Sequence, residues 1–311
     1  MQFSVKFPLT RKSAIAFSLA MLGLTTPVYA AAAEPEIVVE GQRKQLSAQL
    51  KQLFNESSSG QLGRFEESVC PMVIGFPEEW TGILDGLLRK NIAAAGLKVQ
   101  DTGCRPNALL IFVDDPQSIV QGLYAAQPRF FGVIDRADFQ ALSNVKRPIY
   151  SWHVIEQRSR DGEQLGNITS INGSNVGQSG VKIVRNAAAT RNFENVREDM
   201  LLSFAVIDKP ATEGKSLRQL ADIATMHLLL DIKPAASVAD DSILSLFSEK
   251  GANTAPPERM SDLDRRTVAG LYALKANNYT ASVQRGRIAS KIAKDIEARV
   301  EAGAAASNQG E

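Results

Sequence analysis

Two histidines, His153 and His227, are all the imidazoles the chain owns. A site built on either must recruit partners from residues at suitable spacing. His227 stands in SLRQLADIATMHLLLDIKP, Ser216 to Pro234. Zinc on a helix needs two ligands that face the same way, as residues four apart do, with a glutamate beside the first as general base. Around His227 those positions hold Ile223, Leu228 and Asp231. This spacing predicts no protease-type metal centre. A set of His153, His227 and Asp231 would have to be assembled across the fold. The expectation for His227 is a hydrogen-bonded residue at the margin of an apolar face, since it falls seven after Leu220 and four after Ile223.

Carboxylates are the other chemistry on offer. Asp114 and Asp115 close the apolar run ALLIFVDD, and Asp135 closes FFGVID. Ligands of open α/β sheets gather at such strand ends, where a carboxylate pair could do acid–base work or hold a cation. The competing role is helix capping, which suits Asp115 directly before Pro116. Trp80, Tyr150 and Trp152 could line a groove for a peptide or glycan, or fill the core. Ser174 in GSNVG has its glycines misplaced for a G-x-S-x-G nucleophile elbow. The candidate ligand cleft therefore unites Asp114, Asp115, Trp152, His153 and His227, with no catalytic residue, metal or cofactor expected.

The elements that would position these residues alternate between strand and helix patterns. VCPMVIG, LKVQD, ALLIFVDD, FFGVID, RPIYSWHVIEQ and MLLSFAVID read as strands. Pro77 opens a helix through Ala95 with Trp80, Ile83, Leu84, Leu87, Leu88 and Ile92 on its buried stripe, and Gly96 closes it. Pro116 starts another helix, and ADFQALSN is a brief one. The polar stretch from Arg158 to Gly180 reads as a hairpin or ordered loop, with a tight turn at Asn172-Gly173. Ser216 and Gln219 form a capping box for the His227 helix, whose stripe is Leu217, Leu220, Ala221, Ala224 and Leu228, with Arg218, Asp222 and Thr225 opposite. The last third is helical: SILSLF, SDLDRRTVAGLYALKA and NYTASVQRGRIASKIAKDIEARV. The final helix sets Ile288, Ile292 and Ile296 among basic residues, a pattern that serves a membrane surface, a partner or its own core. The fold class is α+β, a mixed sheet with flanking helices and a helical C-terminal third.

Segment 1–33 has the marks of a secretory signal: Lys6, Arg11 and Lys12, a short apolar run from Ala14 to Leu24, and small residues offering cleavage after Ala30 or Ala33. The run is shorter than the roughly 20 residues of a membrane anchor, and no later segment predicts a span in the mature chain. The expected location is periplasmic or secreted. There Cys70 and Cys104, the only cysteines, most simply form one disulfide. Residues 34–60 read as an N-terminal helix and linker, whose opening EIVVEGQR could be an extended peptide. Residues 61–303 read as one globular domain with a sub-boundary near 200, and 304–311 as a disordered tail. Lys and Arg number 35 against 34 Asp and Glu, so no whole-surface field draws nucleic acid or anionic lipid.

From Met200 to Ala276 the order of strand, capped helix, DDSILSLF and LDRRTVAGLYA resembles the C-terminal part of a family of exported bacterial proteins related to zinc-metalloprotease-like (zincin) domains. The resemblance implies a zincin-like fold in which active relatives carry H-E-x-x-H on the helix that here holds His227. This chain lacks that motif, so the implied function is a non-catalytic exported protein that binds a peptide, glycan, envelope component or protein partner. The alternative is a periplasmic hydrolase with a carboxylate- or metal-based site.

Overall fold

A computed structural model of the chain describes residues 35–57, 59–168, 170–171, 174–175, 181–183, 192–234, 236–248, 255–275 and 278–307. The signal segment, the Asn172-Gly173 turn and residues 308–311 of the tail lie outside the described residues. The strands are β1 (Pro71–Ile74), β2 (Ala108–Val113), β3 (Ile149–Ser159), β4 (Gly166–Ile168), β5 (Ser170–Ile171), β6 (Ser174–Asn175), β7 (Val181–Ile183) and β8 (Val196–Asp208). Four of them form the main sheet in the order β1-β2-β8-β3. β1, β2 and β8 are parallel, and β3 runs antiparallel to β8 along the edge. β4 with β7 and β5 with β6 make two small antiparallel pairs.

The helices are α1 (Pro35–Leu53), α2 (Glu78–Ala94), α3 (Pro116–Ala126), α4 (Arg136–Ser143), α5 (Leu217–Leu229), α6 (Asp262–Tyr272) and α7 (Ala281–Ser307). Among the described residues, none is long and apolar enough to cross a membrane. β2 is apolar throughout because it is buried on both faces. Ala108, Leu110 and Phe112 join the larger core with residues of α2, α5, α6 and α7, while Leu109, Ile111 and Val113 meet a smaller core built with α3, α4 and the turn Pro128–Phe131. This is the expected α+β arrangement of a mixed sheet with flanking helices. β8 runs unbroken through residue 200, and the larger core draws on residues from Leu50 to Ile292. Cys70 and Cys104 are joined across the β1–β2 end of the sheet, with Cα atoms 6.0 Å apart.

Several elements depart from the sequence reading, each for a local reason. LKVQD makes no strand, only a bridge from Val99 to Val69. FFGVID makes no strand: Phe130 and Phe131 end a 3-10 turn that Pro128 opens, and Gly132 caps it at φ 63°, a backbone conformation that suits glycine. EIVVEGQR is helical, as the start of α1, and SILSLF contributes a 3-10 turn, Ile243–Ser245. Helix α7 continues to Ser307, into the segment expected as a disordered tail. On α2, Leu84, Leu88 and Ile92 are buried, but Trp80 and Ile83 are 48% and 51% exposed. Trp80, Ile83 and Leu87 share the flank of the helix beside the buried row of Leu84, Leu88 and Ile92, so the buried stripe is narrower than the sequence pattern predicts.

Candidate functional site

Helix α5 carries His227 half-buried at the margin of its packed face, as its spacing predicts, with the ring turned toward the sheet. Its capping box forms in full: Gln219 N donates to Ser216 Oγ at 3.2 Å, and Ser216 N donates to Gln219 Oε1 at 2.8 Å. Such a cap is worth about 1 kcal/mol and fixes where the helix begins. The face expected to be solvated is instead covered by α2 and the segment leading into α6. Asp222 accepts from Asn91 Nδ2 at 2.8 Å and from Met260 N at 2.7 Å, and Thr225 is also buried. A helix enclosed on nearly every side must satisfy its polar groups internally.

Beside α5 lies the edge strand β3. Strand alternation sends Tyr150 and Trp152 to the smaller core, and Ser151 and His153 to the face that α5 covers. Ser151 Oγ and His227 Nδ1 are hydrogen-bonded at 2.8 Å. His153 Nε2 lies 3.1 Å from the His227 backbone oxygen. A carbonyl only accepts, so His153 carries a proton on Nε2. The other His153 nitrogen, Nδ1, has no hydrogen-bond partner among the described residues and stands 3.6 Å from Asp231 Oδ1. The His153 side chain is 1% exposed and that of Asp231 21%. Ser203, paired with His153 in the β3–β8 register, has a buried Oγ that is likewise unpartnered among the described residues.

This seam contains a hydroxyl, two imidazoles and a carboxylate, the ingredients of nucleophilic catalysis. Their connection is different. In a triad one imidazole joins the hydroxyl to the carboxylate. Here Ser151 bonds to His227, while Asp231 faces His153. Burial, and secondarily the neighbouring His153, push the His227 pKa down to about 3. An imidazole held neutral that firmly is a weak base near pH 7. What the seam does is tie the last turn of α5, and Asp231 two residues beyond it, to the edge strand. Among the described residues, no three His, Cys, Asp or Glu side chains gather in a way that could hold a metal ion.

The remaining residues of the candidate cleft lie apart from the seam. Asp115 caps α3, accepting from Ser118 N at 3.1 Å and Ser118 Oγ at 2.6 Å, and these bonds lower its pKa. Asp114 is exposed at the end of β2. Asp135 caps α4 by accepting from Asp138 N at 2.8 Å. Trp152 faces away from His153, its ring stacked between Phe131 and Phe204 and its Nε1 donating to the Phe130 carbonyl at 2.8 Å. The structure thus brings together His153, His227 and Asp231, but not the aspartates at the β2 end or Trp152. Sequence reasoning missed Ser151 and Ser203. The signal for Ser151 is its position: two residues before His153 on an alternating strand, it shares that residue's face.

No family model, curated protein or solved structure matches the chain.

Proposed function

We propose that this chain is a non-catalytic exported protein that binds a peptide, an envelope component or a protein partner on a degenerate zincin-like scaffold. The observation that carries the reading is the state of His227. Its Nδ1 is engaged by Ser151, and burial keeps its ring neutral. The helix that would carry metal ligands in an active zincin thus uses its one histidine as a strut. The paired cysteines support an oxidising compartment.

The hydrolase alternative has one observation in its favour. Asp199 is buried, burial raises its pKa, and its Oδ1 is unpartnered among the described residues; carboxyls raised in this way recur in active sites. Against it, Arg197 Nη2 donates to Asp199 Oδ2 at 2.8 Å, and Arg158 stands 3.7 Å away, as in a structural ion network.

The test is metal analysis of the purified, exported chain together with hydrolytic assays on peptide, ester and glycan substrates. We expect no activity and no zinc dependence, and no free thiol after denaturation without reductant. Stoichiometric zinc, lost together with a hydrolytic activity in His227→Gln, overturns the reading. Activity lost in Asp199→Asn establishes the alternative.

A further inference from the structure

Helices α1 and α7 pack side by side and leave between their outer faces an open groove of about 840 Å³. Its charge is one-sided. Arg43 and Lys44 of α1 and Arg287, Lys291 and Lys294 of α7 line it, against the carboxylates of Glu40 and Asp295. Asp295 is committed outside the groove, whereas Glu40 offsets part of the α1 charge within it, which leaves the α7 cations as the uncompensated side. Glu40 pairs with Arg43 and Lys44, and Asp295 pairs with Arg266 at 3.2 Å. The Arg287 guanidinium lies over the Tyr279 ring at 4.3 Å. Lys291 and Lys294 are exposed and have no ion pair among the described residues.

Arg287, Lys291 and Lys294 follow one another at helical spacing, so they form a single stripe down the groove. From first to last the stripe runs roughly 10 Å along the axis, more than a single phosphate can span. The rest of the lining is small and mostly polar: Ser47, Ser282, Gly286 and Ser290, with Val283 beside them. A Cβ at Gly286 would meet nothing within 4 Å. The opposite face of α7 is occupied, because Ile288, Ala289, Ile292 and Ala293 are buried in the domain. The basic stripe is therefore the side of α7 left for a partner.

We propose that this groove binds phosphate-bearing headgroups of anionic envelope lipids, two or more at a time. The inference deepens the binding-protein reading and rests on it. The near-neutral total charge is no obstacle, because screened electrostatics act over about 10 Å, the scale of the groove itself. Cationic side chains supply attraction near an anionic surface, and the hydroxyls of Ser47 and Ser282 supply hydrogen bonds to phosphate oxygens, the Ser290 hydroxyl being donated to the Gly286 carbonyl at 2.7 Å.

The experiment is co-sedimentation of the exported chain with vesicles of phosphatidylcholine alone, or of phosphatidylcholine mixed with phosphatidylglycerol. Soluble tripolyphosphate is titrated in a separate arm. Binding is expected only to the mixed vesicles, weakening as salt rises. Lys291→Gln combined with Lys294→Gln should weaken it roughly tenfold or more, at about the contribution of a basic residue near a membrane surface. Lys90→Gln combined with Lys98→Gln removes the same charge from exposed sites outside the groove and should leave binding intact. Equal loss in both pairs, or no loss in the first, overturns the groove as the site. Tripolyphosphate binding without vesicle binding overturns the lipid assignment, and binding of neither ligand overturns the proposal. None of these failures touches the non-catalytic reading, which falls only to a hydrolytic activity.

Discussion

On one face of β3, Trp152 lies flat between Phe131 and Phe204, with ring centroids 4.6 and 4.8 Å away. On the other face, one residue to either side, Ser151 and His153 make hydrogen bonds to α5. The first interior is held by non-directional contact over a large area, so its energy follows how much surface is filled. The second is held by few, directional contacts, and each matters chiefly through the cost of leaving its partner unsatisfied. The aromatic face should therefore govern how stable the sheet edge is, and the polar face where α5 sits against it.

The largest effect expected from this contrast is at Trp152. Trp152→Ala should cost about 3–5 kcal/mol, because it removes the middle of a stack and leaves a cavity. Trp152→Phe keeps a ring in place and gives up the Nε1 bond to Phe130, at about 1 kcal/mol. Urea unfolding measures both. Near-equal losses would mean that the indole hydrogen bond, not the stack, carries this face, and the contrast between the two interiors would vanish.

Next in size is a pH dependence that belongs to the polar face alone. The folded pKa of His227 is lowered from 6.5 to about 3. The unfolded chain therefore takes up a proton on this residue at a pH where the folded chain does not. The stability this neutrality represents is whole above pH 6.5 and is lost as pH falls toward 3. The slope from this one group is at most about 1.4 kcal/mol per pH unit. Urea midpoints between pH 7 and pH 5 should show it, and His227→Gln should flatten the curve by that amount. A variant with an unchanged slope would show that the ring is not held neutral, which also reopens its use as a base.

The same contrast explains what could be read without a structure. Strand β3, the central strand β2 and the capped helix α5 were all legible, because side-chain periodicity and capping are local properties. The role of Asp115 was legible too, since Asp before Pro at a strand end suits a cap. What escaped was set by neighbours distant in the chain. Asp222 and Thr225 look solvent-facing on a helical projection, but Asn91 and Met260 approach them from elements far away in sequence. Trp80 looks buried on the same kind of projection and is exposed, with Ile83, on the flank of α2 beside its buried row. The pairing of Ser151 with His227 spans 76 residues. No local pattern specifies which strand an α-helix will lie on, so the candidate site was legible in its residue types and not in its connections.

The smallest expected effects test those connections directly. Ser151→Ala leaves His227 Nδ1 without its partner and should cost about 1 kcal/mol. Asp231→Asn weakens a partly exposed contact to His153 and should cost less than about 1 kcal/mol. The informative quantity is the coupling between them in a double-mutant cycle. With hydroxyl and carboxylate on separate imidazoles, each substitution disturbs a different ring, and the two losses should add to within about 0.5 kcal/mol. In a triad both groups act through one imidazole, and removing either makes the other largely irrelevant. Strong non-additivity between Ser151 and Asp231 would therefore mean that a single imidazole links them in solution. Additivity, with the pH slope reduced only by replacing His227, would place His227 and Ser151 in one contact and His153 and Asp231 in another, side by side under the same helix end.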